Sequence, residues 1–144
     1  MIAVDTNVLL RRLLNDDPGQ ADKARRLFGQ AEQILITDVV LCETIWTLKG
    51  KRYRASREDI ATLVLALLEE SNVVFENQAA VWSALNEFIH APVVQTANGG
   101  HQADLADALI VAKAQALMAQ WGQPYNTTFT FDLAAQALAG TRAP

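Results

Sequence analysis

Cysteine is almost absent from this chain: Cys42 is the single one in 144 residues. No disulfide can form within the chain, as expected of a protein that folds in the reducing cytoplasm. Cys42 lies among apolar residues, where a free thiol is more readily understood as packing than as a nucleophile. Long apolar runs are also missing. None approaches the ~20 residues of a membrane span, and no cationic segment with an apolar stretch precedes Asp5, so neither a span nor a signal peptide is expected. Histidine is scarce, and His90 and His101 lack the partners and spacing of a zinc site. Charged residues make up only 19% against 51% hydrophobic, which excludes a disordered chain and predicts one globular domain over residues 1–144. There are no repeats, low-complexity tracts or internal linkers.

The net charge of −4 speaks against a general nucleic-acid binder, but its distribution is uneven. Residues 1–57 carry ten of the twelve Lys and Arg against seven acids, a balance of +3. Residues 58–144 carry two against nine, a balance of −7. Five cations, Lys49, Lys51, Arg52, Arg54 and Arg57, crowd into one short stretch. They are either a solvated helix end, where cations are favoured, or contacts for phosphates.

What is plentiful is alternation of short apolar runs with helical patterns. Ile2-Ala3-Val4 reads as a buried strand ending at Asp5, and Thr6 to about Leu14 as a helix capped by Thr6 or Asn7, unless Asp5 itself is the cap. Asp17 and Pro18 open a second helix, from Gln20 to about Ala31. Ile34-Leu35-Ile36 is a second strand. Thr37-Asp38 caps a helix from Val39 to about Lys51, and Ser56-x-x-Asp59 opens another, ending at Glu70. Val73-Val74-Phe75 is a third strand, and Asn77 caps the helix that follows. Ala91 to His101, with Asn98, Gly99 and Gly100, predicts a flexible loop. Ala103 to Gln120 is apolar on nearly every side and predicts a central helix. Thr127 to Phe131 is the last β-prone run, with a short helix from Leu133 to Ala139 behind it. The predicted fold class is a three-layer α/β/α sandwich around a mainly parallel sheet.

In such a sheet, strand ends of one polarity share an edge, where open α/β folds place their ligands. Asp5 follows the first strand and Asp132 the last. Glu43 lies in the helix after the second strand, and Asp104 and Asp107 occupy the first turns of the central helix, three apart and so on one face. Singly, each acid has an innocent account as a helix cap or a dipole partner. Glu43 is harder to dismiss, because it interrupts the apolar run Val39 to Trp46 and an acid is seldom buried unpaired. Carboxylates brought together repel, and a hard divalent cation relieves them: Mg²⁺ or Mn²⁺ suits such oxygen ligands. A carboxylate-held metal of this kind commonly takes phosphate as a further ligand and can activate a water. The chemistry read from these residues is metal-dependent phosphodiester hydrolysis.

The segments IAVDTNVLLRRLL (2–14), LCETIWTL (41–48), ADLADALIVAKA (103–114) and TFTFDLAAQAL (128–138) together resemble the PIN-domain nucleases, in particular the toxins of VapBC-type toxin–antitoxin pairs. The likeness follows the family's order and covers essentially the whole chain. It implies an endoribonuclease using Mg²⁺ or Mn²⁺, with Asp5, Glu43, Asp107 and Asp132 as its acidic centre. Asp5 and Asp107 match the metal-holding positions most clearly. Asp132 matches a position that helps through a second metal or a water, and Asp104 an auxiliary ligand. Asn7 and Thr130 match polar positions that orient the carboxylates. The resemblance further implies a homodimer and a cognate VapB-type antitoxin, docked in an apolar groove among the early helices. Trp46 is a candidate anchor there, unless it is ordinary core. One departure from the family is the ending Ala139 to Pro144, where related chains run into a final strand.

Two other readings compete. One is a catalytically idle PIN-like module that binds RNA or protein. The other is a phosphoryl-transfer hydrolase with Asp5 as nucleophile, which the absence of a second acid two residues on disfavours.

Overall fold

We describe all residues from Met1 to Pro144 in a computed structural model. Chain contacts divide it into two compact units, Met1–Glu76 and Asn77–Pro144.

The first unit is built on a three-stranded parallel sheet in the order β1 (Ile2–Ala3), β2 (Ile34–Ile36), β3 (Val73–Phe75). Its register pairs Ile2 with Ile34, Ile34 with Val73 and Ile36 with Phe75. Strand β2 lies between two neighbours, and Ile34 and Ile36 are wholly buried. Strand β1 has a neighbour on one side only. Ile2 and Ala3 are exposed, contrary to the expected buried strand, and only Val4 of that run is covered, whereas Val73 and Phe75 on the other edge strand are buried.

Each of the unit's four helices starts where a side chain satisfies an orphan backbone donor. For α1 (Thr6–Leu13) the cap is Asp5, whose Oδ1 accepts from the Val8 N–H at 2.8 Å; neither Thr6 nor Asn7 takes that role. Asp17 caps α2 (Pro18–Gln30) through the Gln20 N–H, with proline in the first position, where its missing N–H costs nothing. The buried face of α2 is Ala21, Ala24 and Phe28, whose small members let α1 pack closely. Thr37 caps α3 (Asp38–Lys49), which buries Leu41, Thr44, Ile45 and Leu48 in one stripe. Ser56 and Asp59 form a reciprocal capping box on α4 (Arg57–Glu69), and the Ser56 N–H holds the Asp59 carboxyl below its ordinary pKa. The unit is tied off by Asn72, whose amide donates to the carbonyls of Phe28 and Ala31 at the end of α2.

In the second unit, α5 (Gln78–His90) packs against α6 (Leu105–Gln120). Asn77 caps α5, which buries Val81, Leu85 and Phe88. Helix α6 is less central than its apolar composition predicts. Leu105, Ala108, Leu109, Val111 and Ala112 are buried, but Ile110 is 58% exposed and the last turns face solvent. The segment expected to be a flexible loop forms an antiparallel hairpin, β4 (Val94–Thr96) with β5 (Gly99–His101). Thr96 Oγ1 accepts the Asn98 N–H and donates to the Gly99 carbonyl, and Gly99 takes a φ of +101° that closes the turn.

The last β-prone run is shorter than expected, with β6 covering only Thr128–Phe129. It pairs in parallel with β7 (Thr141–Arg142), so the chain does end in a strand. The helix expected over Leu133–Ala139 is a single 3-10 turn, Ala135–Ala137. Thr141 Oγ1 satisfies the Ala135 and Leu138 carbonyls, ending the turn at once. Gly140 makes this return possible. Its φ is +82°, and a Cβ there would lie 3.1 Å from the Tyr125 ring, whose hydroxyl donates to the Gly140 carbonyl. No helix is long and apolar enough to cross a membrane.

Candidate active site

In the first unit the strands run in parallel, so the residues following β1 and β2 emerge on one edge. Asp5 leaves β1 there. Glu43 lies one and a half turns into α3 and, against the expectation drawn from its apolar neighbours, is exposed. The buried stripe of α3 falls on Leu41, Thr44, Ile45 and Leu48, so Val39, Glu43 and Trp46 face outward.

Glu43 nevertheless has a fixed place. Thr6 Oγ1, on the residue after Asp5, donates to Glu43 Oε2 at 2.6 Å across 37 residues of sequence. This charge-assisted bond is short, and it ties the start of α1 to α3. Thr6 as the partner of Glu43 was not legible beforehand; a hydroxyl directly after Asp5 was its only signal. Asn7, expected to orient a carboxylate, makes no such bond and is exposed. Asp38 donates its backbone N–H to Glu76 Oε1 at 2.9 Å, closing the first turn of α3 onto the end of the unit.

In the second unit, Asp104 is the N-cap of α6 and Asp107 its third residue, forming a capping box in which the Asp104 N–H donates to Asp107 Oδ2 at 2.8 Å. Both are half-buried on one face, as their spacing predicts. Asp132 Oδ1 accepts from the Ala135 N–H at 2.8 Å, and the Asp132 N–H donates to Thr130 Oγ1 at 3.1 Å. Thr130 thus orients the backbone of Asp132 rather than its carboxylate.

The local bonds leave metal-binding capacity. Asp5 Oδ1 and Asp132 Oδ1 each accept a backbone N–H, and Glu43 Oε2 accepts from Thr6, so one carboxylate oxygen of each makes no hydrogen bond. Such oxygens fit Mg²⁺ or Mn²⁺. Within neither unit do three or more His, Cys, Asp or Glu side chains gather into a metal-binding group.

The basic stretch divides by environment. Lys49 ends α3 and Arg57 begins α4, while Lys51, Arg52 and Arg54 sit on the connecting turn and are exposed. Arg54 has a φ of +50°, an uncommon left-handed conformation for a residue with a Cβ. Cys42 is half-buried, and burial, then Asp38, pushes its thiol pKa up, so it is a poor nucleophile. Trp46 is 80% exposed and is not core.

A family model described as PIN domain matches residues 2–139. Among solved structures, the chain is similar to the crystal structure of Mycobacterium tuberculosis VapC20, described as a Sarcin-Ricin loop cleaving toxin. The two are 18% identical, with 95% of this chain and 94% of that chain covered and a TM-score of 0.40. No curated protein matches.

Proposed function

Because the chain belongs to the PIN domain family, with the six helices and mainly parallel sheet of the expected α/β sandwich, we propose that it is an endoribonuclease. It would hydrolyse RNA phosphodiester bonds with Mg²⁺ or Mn²⁺, acting as the toxin of a type II toxin–antitoxin pair. The acidic set is Asp5, Glu43, Asp107 and Asp132, with Asp104 auxiliary. The observation that carries this reading is the Thr6–Glu43 bond, which fixes an exposed glutamate beside the segment bearing Asp5.

A bound Mg²⁺ or Mn²⁺ would lower the pKa of a water and stabilise the leaving oxygen. Asp5, Asp107 and Asp132 would hold it, and each carboxylate already accepts one backbone N–H, from Val8, Asp104 and Ala135 in turn. Thr6 donates to the Glu43 carboxylate, and Thr130 accepts the backbone N–H of Asp132.

Antitoxin binding has its own support. A groove of about 250 Å³ runs between α1 and α2, with Val8, Ala24 and Leu27 as its apolar lining, and Trp46 stands exposed on α3. The same family reading includes a homodimer and action in the cytoplasm.

The test is incubation of the pure, antitoxin-free protein with a pool of structured RNAs in Mg²⁺, Mn²⁺ or EDTA. Cleavage confined to the metal-containing samples is expected. Neither cleavage nor binding of Mg²⁺ or Mn²⁺ would transfer the case to the idle binding module.

A further inference from the structure

A second cavity, of about 280 Å³, opens beside Asn7, two residues beyond Asp5. Its walls come from α1 and from the turn after α3, and they carry Arg11, Lys51, Arg52 and Tyr53. Arg11 and Asn7 also border the groove between α1 and α2, so the two hollows meet at these residues.

One carboxylate ties the cavity wall together. Asp16 Oδ1 accepts from Arg11 Nη1 at 2.7 Å, while Asp16 Oδ2 accepts from the Tyr53 hydroxyl at 2.8 Å and from Arg52 Nη2 at 3.4 Å. Tyr53, then Arg11, holds the Asp16 carboxyl below its ordinary pKa, so the anchor stays charged at neutral pH. Gln20 adds a bond to Arg11 Nε at 2.7 Å, which leaves Nη2 of that guanidinium without a partner. The guanidinium of Arg52 lies over the Tyr53 ring, 5.1 Å from its centroid, yet the side chain remains 72% exposed. The turn itself is closed by the Arg54 N–H to the Gly50 carbonyl and the Ala55 N–H to the Leu48 carbonyl, with Arg54 in its left-handed conformation. Backbone held in a rarely populated conformation persists where the surroundings fix it, and such sites cluster at ligand-binding positions.

A planar cation, braced on an aromatic ring and open on its other face, is a platform for a nucleobase. Lysine and arginine at the rim supply partners for the flanking phosphates. We propose that this cavity is a subsite for one unpaired nucleotide of single-stranded RNA, its base stacked on Arg52 and its phosphates met by Lys51 and Arg11. The inference rests on the ribonuclease reading and adds where the strand lies: the chain passes Asn7 on its way to Asp5. A duplex cannot use the platform, because its bases are stacked on one another.

The experiment is fluorescence anisotropy of a short labelled RNA with the full chain in EDTA, so that binding is read without cleavage. Wild type is expected to bind the single strand more tightly than a duplex of the same sequence. Arg52→Ala should weaken single-strand binding about tenfold, and Arg52→Lys, which keeps the charge but not the plane, should not restore it. Lys51→Ala should reduce the salt slope of binding by about 0.7. Circular dichroism melts confirm that these exposed-site variants fold. If wild type cleaves RNA with Mg²⁺ but Arg52→Lys binds as wild type does, the subsite is overturned and the nuclease reading stands. Wild type that neither binds nor cleaves RNA overturns both, and partners of another class, such as a protein segment, then own the cavity.

Discussion

Asp5 is asked to do two things, and one pair of substitutions separates them. Its Oδ1 caps α1 through the Val8 N–H at 2.8 Å, a structural task that any good N-cap can perform. Its charge and its second oxygen are the proposed contribution to metal binding. Asparagine caps about as well as aspartate, whereas alanine loses about 1 kcal/mol. With an unfolding entropy of about 2.1 cal/mol/K per residue, the 144 residues give about 0.3 kcal/mol/K. The loss of the cap therefore lowers Tm by about 3 °C. Asp5→Asn should melt within about 1 °C of wild type, and Asp5→Ala about 3 °C below it. Cleavage behaves differently. Loss of a group that merely orients a metal ligand commonly costs 10- to 100-fold, so loss of the ligand's charge should cost at least about 100-fold in both variants. Differential scanning calorimetry and RNA cleavage on the same preparations provide the comparison. Full cleavage by Asp5→Asn would refute the metal role and leave Asp5 as a cap alone. Equal destabilisation by Asn and Ala would refute the capping account.

Three further outcomes follow from particular bonds. Thr6→Val removes the donor to Glu43 while keeping a branched side chain, so cleavage should fall about 10- to 100-fold with little change in Tm; unchanged cleavage would detach Glu43 from the reaction. Gly140→Ala forces a Cβ onto a φ of +82° and against Tyr125, and should cost about 1–2 kcal/mol, read from denaturant melts; a neutral result would mean that the turn into β7 can relax. The Asp59 carboxyl is held below its ordinary value of 3.8 in the folded chain, chiefly by the Ser56 backbone N–H. Its stabilisation is therefore present above that value and lost as pH falls through the folded value. The Tm difference between wild type and Asp59→Asn should be full at neutral pH and shrink below 3.8, and a gap independent of pH would contradict it.

Helix starts were the most legible part of the sequence, because a cap is a local bond between residues three apart. Asp17, Ser56 with Asp59, and Asn77 all act as their positions predict. Burial was less legible, since it depends on neighbours distant in sequence. Ile2 and Ala3 read as core but are exposed, while Val73 and Phe75, equally on an edge strand, are buried. The apolar run around Glu43 gives no hint that one face of α3 stays in solvent and carries Glu43 and Trp46. The hairpin over Val94–His101 was mistaken for a loop because its glycines hid two three-residue strands. The candidate acids stood out by type and order. The bonds that present them did not, and Thr6 reaching Glu43 across 37 residues is the plainest case. The Asp16 anchor was invisible for the same reason: it joins the α1–α2 connection to the turn after α3.

In the proposed nuclease, Asp5 and Asp107 each lend a carboxylate charge to metal binding. Titration calorimetry of Mn²⁺ into wild type, Asp5→Asn and Asp107→Asn measures that contribution, since both amides can keep the local hydrogen bonds and remove only charge. Wild type is expected to give a binding isotherm that each substitution weakens. An isotherm unchanged by both would contradict it.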